Sequence, residues 1–279
     1  MDPGMTNTAV RPISLLVAAT YLVMVAINGL ANALPINGIQ TGDVSDAYPN
    51  LFAPAGYAFS IWGVIYLLLL LHVLYQFGLF RTDTAGADTA LLDKVGRFFA
   101  VSSLANAGWI LAWHFDLIAL SVLLMLVILA SLAVIVQTIR AADLNTREKW
   151  LVAVPFSVYF GWITVATVAN ITVFLVSLGW DGFGLAESTW AVIILLVAAG
   201  IGTVAMLHNN DLAYGAVLLW AFTAILVKHR SADGFAGEYP QVAATVVACL
   251  VVFVVAAGVI LVRGRRRTAS LVSSPALRR

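Results

Sequence analysis

Between Asp116 and Arg140 the chain carries no charged residue, and seven further stretches carry at most two, near their ends. A helix needs about 20 apolar residues to cross the hydrocarbon of a bilayer. The eight stretches, 12–34, 54–79, 94–115, 117–140, 149–178, 187–208, 211–228 and 240–262, meet that length. Only 10% of the 279 residues are charged and 62% are hydrophobic, whereas soluble domains carry about 25% charged residues. Such a chain cannot clothe itself in a solvated surface, so lipid is its solvent. Inside lipid only helices and closed barrels satisfy their own backbone. Barrel strands would alternate over segments of about ten residues, and the apolar runs here are uninterrupted. The sequence therefore reads as an all-α integral membrane protein with eight transmembrane helices.

Basic residues set the orientation, because cytoplasmic loops collect Lys and Arg. With the N-terminus cytoplasmic, Arg11, Arg81, Lys94, Arg97, Arg140, Arg147 and Lys149 fall inside, joined by Arg263, Arg265, Arg266, Arg267, Arg278 and Arg279. Only Lys228 and Arg230 fall outside, so both termini are expected to be cytoplasmic in a multi-pass plasma or inner membrane protein. The narrowest division is His208-Asn209-Asn210-Asp211, between the sixth and seventh spans. The first span is read as a retained helix, although Ala31-Asn32-Ala33 has the small-x-small form of a cleavage site. The Arg265–Arg267 cluster is read as a positive-inside anchor. The single cysteine, Cys249, excludes an internal disulfide and a thiolate metal cluster.

Ionisable groups in a membrane interior mark ion and proton pathways. Here all fourteen acidic residues fall in loops, tails or span ends, and His72 is the one histidine well inside a span. The interior polar residues are neutral amides: Asn28 and Asn32 on one face of the first span, Asn106 in the third and Asn170 in the fifth. Counted inward from the external ends, Asn28, Asn106 and Asn170 reach a similar depth. Such amides serve as interhelical glue. Aromatic rings gather at the same level: Tyr57, Phe59, Trp62 and Tyr66; Trp109, Trp113 and Phe115; Tyr159 and Trp162. An interfacial belt accounts for Trp113, but Trp62 and Trp162 lie too deep for it. Large rings beside amides suit a cavity for a flat apolar ligand.

These residues also carry a family resemblance. Pro54-Ala55-Gly56-Tyr57-Ala58-Phe59-Ser60-Ile61-Trp62, with Tyr66 four residues later, resembles the second-helix signature of the tryptophan-rich sensory protein family (TspO/MBR, the translocator proteins). Asn106-Ala107-Gly108-Trp109, followed by Trp113 and His114, is similar to the third-helix pattern. Trp162 and Asn170, eight apart, are similar to the fifth. The resemblance covers roughly residues 12–178 and implies a five-helix bundle with a pocket capped by the loop Pro35–Ala53. It implies binding of a porphyrin, tetrapyrrole or sterol-like molecule, with sensing, regulation or transport as the role. Trp62, Tyr66, Asn106, Trp109, Trp113, Trp162 and Asn170 would line or support that pocket, and the amide and aromatic pattern adds Asn28, Asn32 and Tyr57.

The expected organisation is an N-terminal tail (1–11), a TspO-like bundle (12–180), three additional helices (181–263) and a basic tail (264–279). The match has departures: Ala55 replaces the second Pro of the usual pair, Val158 stands where a family Pro is expected, and the first loop lacks tryptophan. His114 stands where a second aromatic is usual and is read as a surface or capping residue rather than a haem ligand. Val73–Arg81 fits a weak cholesterol-contact pattern. No cofactor is required by the sequence, although a porphyrin or haem-like ligand fits the resemblance, and no metal site is expected. Expected partners are a hydrophobic small molecule and the bilayer, with a homodimer allowed and nucleic acid excluded. Two other classes remain open: a facilitative transporter of a small neutral or amphipathic metabolite, and a membrane enzyme acting on an isoprenoid or porphyrin. The enzyme rests on analogy, since no nucleophile-base set, nucleotide loop or carboxylate pair lies within the spans.

Overall fold

The computed structural model describes residues 11–34, 36–80 and 88–273, with side chains to residue 265. Among them, eight helices are long and apolar enough to cross a membrane. They are α1 (Pro12–Ala33), α2 (Ile61–Gln76, entered through a 3-10 turn at Gly56–Ser60), α3 (Thr89–His114) and α4 (Ile118–Arg140). Then follow α5 (Thr146–Ser177), α6 (Glu187–Asn209), α7 (Leu212–Arg230) and α8 (Pro240–Ser273). Pro35, Arg81 of the cholesterol-contact pattern, and the last residues of the basic tail lie outside the described residues. α1 continues unbroken through Ala31-Asn32-Ala33.

The helix ends follow from local chemistry. Pro12 opens α1, where its missing N–H costs nothing. Asp88 caps α3 by accepting from the Ala90 N–H at 3.0 Å. Asn145 and Glu148 form a reciprocal capping box at the start of α5, at 3.0 and 2.9 Å. The narrow division between α6 and α7 is a C-cap fused to an N-cap. Asn210 takes the left-handed conformation at φ 51°, and Asp211 then accepts from the Tyr214 N–H at 3.0 Å. An Asn tolerates that conformation better than most residues, so two residues suffice to reverse the chain.

The chain forms two compact units. The first holds residues up to Gln40 and Trp62–Phe156; the second holds Thr41–Ile61 and everything from Ser157.

In the first unit α3 packs against α1 and α4. Gly96 permits a close approach, since a Cβ there would lie 2.9 Å from Ile13 and 3.0 Å from Val17. A buried polar chain ties four helices together. It starts at Pro155, which lacks the N–H that would bond the Leu151 carbonyl one turn earlier. The backbone widens into a π turn at Lys149–Ala153, and His72 Nδ1 lies 3.0 Å from the Leu151 oxygen. A carbonyl only accepts, so the proton sits on Nδ1 and leaves Nε2 as an acceptor. The Gln76 amide lies 3.4 Å from that Nε2 and donates to Leu92 O at 3.1 Å. Gln76 Oε1 accepts from Arg11 at 2.9 Å, and Arg11 pairs with Asp93 at 2.8 Å. Phe156 and Phe99 enclose the His72 ring edge-on. His72 is thus a structural donor.

In the second unit α8 packs against α6 and α7, and α6 against α7. Gly161 on α5 faces α7, where an added Cβ would lie 3.0 Å from Val217 Cβ and 3.2 Å from the Tyr214 oxygen. The segment Thr41–Ile61 is fastened along one face of α7. Trp220 Nε1 donates to Ala58 O at 3.1 Å, and the Ala55 N–H donates to Ala224 O at 3.1 Å. Lys228 pairs with Asp46 at 2.7 Å, and His229 Nε2 donates to Leu51 O at 2.9 Å. Trp220, Ala224 and Lys228 are four apart, so each meets the segment one turn further along.

Replacing His72 by Ala strips the Leu151 carbonyl of its donor and should cost about 1–3 kcal/mol, read as a lower unfolding midpoint in detergent. Pro155→Ala restores an N–H one turn from that carbonyl. In the Pro155→Ala background the same His72 replacement should therefore cost less. An equal cost in both backgrounds would break the link between the two residues.

Candidate functional site

Four rings of the first unit form a ladder across α2 and α3. Tyr66 stacks on Trp62 at 5.6 Å between centroids, Trp62 meets Trp109 at 6.0 Å, and Trp109 stacks on Trp113 at 5.9 Å. The helical repeat explains the first and last contacts, because residues four apart share a face. The middle contact joins the two helices. Trp109 and Trp113 are buried, while Trp62 and Tyr66 are half-buried, so the ladder runs from the interior to an accessible edge.

The amides of the first unit also meet. Asn28 on α1 donates to Asn106 Oδ1 on α3 at 2.8 Å, and to Met24 O at 2.8 Å. Both side chains are buried. One Asn28 amide thereby satisfies an acceptor on its own helix and one across the interface, and the residues flanking Asn106 are small: Ala105, Ala107 and Gly108. Asn32 is exposed and donates back to Asn28 O at 2.9 Å.

His114 ends α3 and is fully buried, which corrects the expectation of a surface residue. Its Nδ1 lies 3.0 Å from Ile36 O, and its carbonyl accepts from the Asn37 amide at 3.0 Å. These bonds hold the chain leaving α1 against the end of α3. The cap at this helix end is supplied by Asn37 rather than by the His114 side chain, because the His114 carbonyl is the group that receives the donor.

The other three residues singled out by the sequence belong to the second unit. Trp162 is buried and meets Phe59 edge-on at 6.0 Å. Tyr57 is 43% exposed and meets Trp220 edge-on at 5.3 Å. Asn170 is buried on α5. The second unit also contains a cavity of about 440 Å³ that the sequence did not reveal. Pro49–Phe52, the last turns of α5, the connection through Trp180-Asp181-Gly182, and the first turns of α6 enclose it. Trp180 and Trp190 flank it with centroids 4.7 Å apart. Their only sequence signal is two tryptophans bracketing a Gly-rich turn with a carboxylate on either side.

A family model described as TSPO-like protein matches residues 14–259. The chain belongs to the TSPO-like protein family. The matched segment runs well past residue 178, so the TSPO-like region takes in α6 and α7 and nearly all the apolar length of α8. No curated protein and no solved structure matches the chain. Among the described residues, no cluster of three or more His, Cys, Asp or Glu side chains could hold a metal ion.

The Asn28–Asn106 pair joins two buried amides across α1 and α3. Asn28→Leu or Asn106→Leu should each cost roughly 1–2 kcal/mol, the range of such bonds between membrane helices. The double replacement should cost less than the two single losses added together, because the one bond they share is lost only once. Unfolding in mixed micelles by a denaturing detergent reads the difference.

Proposed function

We propose that this TSPO-like protein is a membrane ligand-binding protein that holds a flat apolar molecule, of porphyrin or tetrapyrrole type, against the ring ladder of α2 and α3. The observation that carries the reading is the continuous series Tyr66, Trp62, Trp109 and Trp113. A planar ligand gains most from rings already fixed in place, since little side-chain freedom is lost on binding. The buried face of the ladder excludes water, and the half-buried Trp62 and Tyr66 leave an approach for the ligand. The paired amides hold α1 to α3 behind the rings. A sensory or regulatory role agrees with such a site, because among the described residues the first unit offers no membrane-buried carboxylate pair for chemistry or ion coupling.

Titrating detergent-purified protein with protoporphyrin, followed by tryptophan quenching, tests this directly. Saturable binding is expected, weakened roughly tenfold by Trp62→Ala, about 1.4 kcal/mol for one lost ring. Phe183→Ala, at an exposed ring of the second unit, should leave the affinity unchanged. Failure to saturate, or equal affinity in Trp62→Ala, would remove the ladder as the site.

We further infer that both termini are cytoplasmic. The preference of Lys and Arg for that side supports it, and Lys228, one of two exceptions, is neutralised by Asp46. In a Cys249→Ala background, Ala232→Cys should react with an impermeant maleimide on intact cells. Ala141→Cys should react only after permeabilisation, and the reverse pattern would invert the protein.

A further inference from the structure

The cavity of the second unit has a chemistry unlike that of the ladder. Its walls are apolar, with Leu51, Phe52, Leu175 and Ile194 among them, and its two charged residues are both acidic, Asp181 and Glu187. No Lys or Arg lines it. Among the described residues neither carboxylate is in an ion pair. Asp181 uses Oδ1 to accept from the Phe183 N–H at 3.0 Å, which fixes the turn and leaves the second oxygen and the charge uncommitted. Trp180 and Trp190 are half-buried and packed on one another, and Phe183 packs edge-on against Trp180 at 5.4 Å.

An interfacial belt places rings at headgroup level as anchors. Here the rings are instead gathered in pairs around a volume within the usual range for small-molecule sites, about 300–1,000 Å³. The Trp190 indole donates to Gly182 O, so the ring is held by the turn that carries Asp181. Ala191 and Gly179 contribute little bulk of their own to the lining. The Pro49–Phe52 wall is held independently, through His229 and Leu51 O. The cavity is therefore built by fixed elements on several sides.

Tryptophan rings on an apolar wall, beside two exposed carboxylates in no ion pair, attract one kind of ligand: a cation with a hydrophobic body. Ring faces carry negative potential toward a cation, and the exposed carboxylates add a countercharge that solvent screens in part. We propose that this cavity binds an ammonium group carried on an apolar body, with Trp180 and Trp190 against the cation and Asp181 and Glu187 supplying the countercharge. The ammonium group could belong to a free amphipathic amine or to a choline headgroup of the bilayer, since both present the same chemistry. The inference uses no residue of the porphyrin reading and stands if that reading fails.

The test uses full-length protein in a neutral maltoside detergent and benzyltrimethylammonium as the probe, with neopentylbenzene as its uncharged isostere. Saturable binding of the cation is expected, with the isostere at least tenfold weaker. Asp181→Asn with Glu187→Gln should weaken the cation about tenfold while leaving the thermal midpoint unchanged, since the carboxamide oxygen introduced by Asp181→Asn still accepts from the turn. Trp180→Leu should weaken it as well. Displacement by short-chain phosphatidylcholine but not by phosphatidylglycerol would assign the site to a lipid headgroup. Displacement by neither would assign it to a free amine. No saturable binding, equal binding of the isostere, or an unchanged affinity in the double variant would overturn the proposal.

Discussion

A backbone carbonyl packed between helices has little water to turn to, and the first unit is organised around one such group. Pro155 removes the donor that the Leu151 carbonyl would have used. A soluble helix could hand that carbonyl to solvent. A membrane helix needs a donor from a neighbour, and His72 provides it at 3.0 Å. Once His72 is committed as a donor through Nδ1, its other nitrogen receives the Gln76 amide, and Gln76 carries the connection on to Leu92, Arg11 and Asp93. One missing N–H thereby fixes how α5, α2, α3 and α1 meet at one end of the unit, while the amide pair Asn28–Asn106 joins α1 and α3 further along.

The second unit meets the same constraint with a loop. The last carbonyls of α7 would be left without partners at Lys228 and His229, and the chain folds back so that the Phe235 and Gly237 N–H groups reach them at 2.9 Å each. The same helix end binds Asp46 and Leu51 of the earlier segment. A lysine that breaks the charge asymmetry of the sequence is thus a structural cation with a fixed partner. Charge-counting rules treat every Lys and Arg alike, and Lys228 shows what they omit: a pairing made across most of the length of the chain.

Features set by neighbours in sequence were legible, and those set by distant contacts were not. The eight spans follow from apolar length alone, and their ends follow from caps such as Asn145 with Glu148 and Asn210 with Asp211. The meeting of Asn28 with Asn106 was within reach because a fixed rise per residue places both at one depth. That count could not place Asn170, which belongs to the other unit. His114 read as a surface residue because its burial comes from Ile36 and Asn37, which return to the helix end from far away in sequence. Pro155 was visible, but nothing local names His72 as the donor for Leu151. The cavity beside Trp180 and Trp190 was the hardest to read. It lies at a connection between spans, and its Pro49–Phe52 wall comes from a segment more than a hundred residues earlier.

The two aromatic settings differ in the one property that a nonpolar surround amplifies, which is charge. The ladder has neutral amides behind it, so a planar ligand there gains from stacking and loses little by leaving water. In the cavity the balance is reversed. Asp181 and Glu187 favour a cation and oppose the propionate groups of a porphyrin, as like charges repel. Under the two proposals each setting disfavours the ligand suited to the other, and the discrimination needs no difference in size or shape. Under the two proposals, a TSPO-like chain with both settings would take two classes of molecule, each selected by the charge it brings out of water.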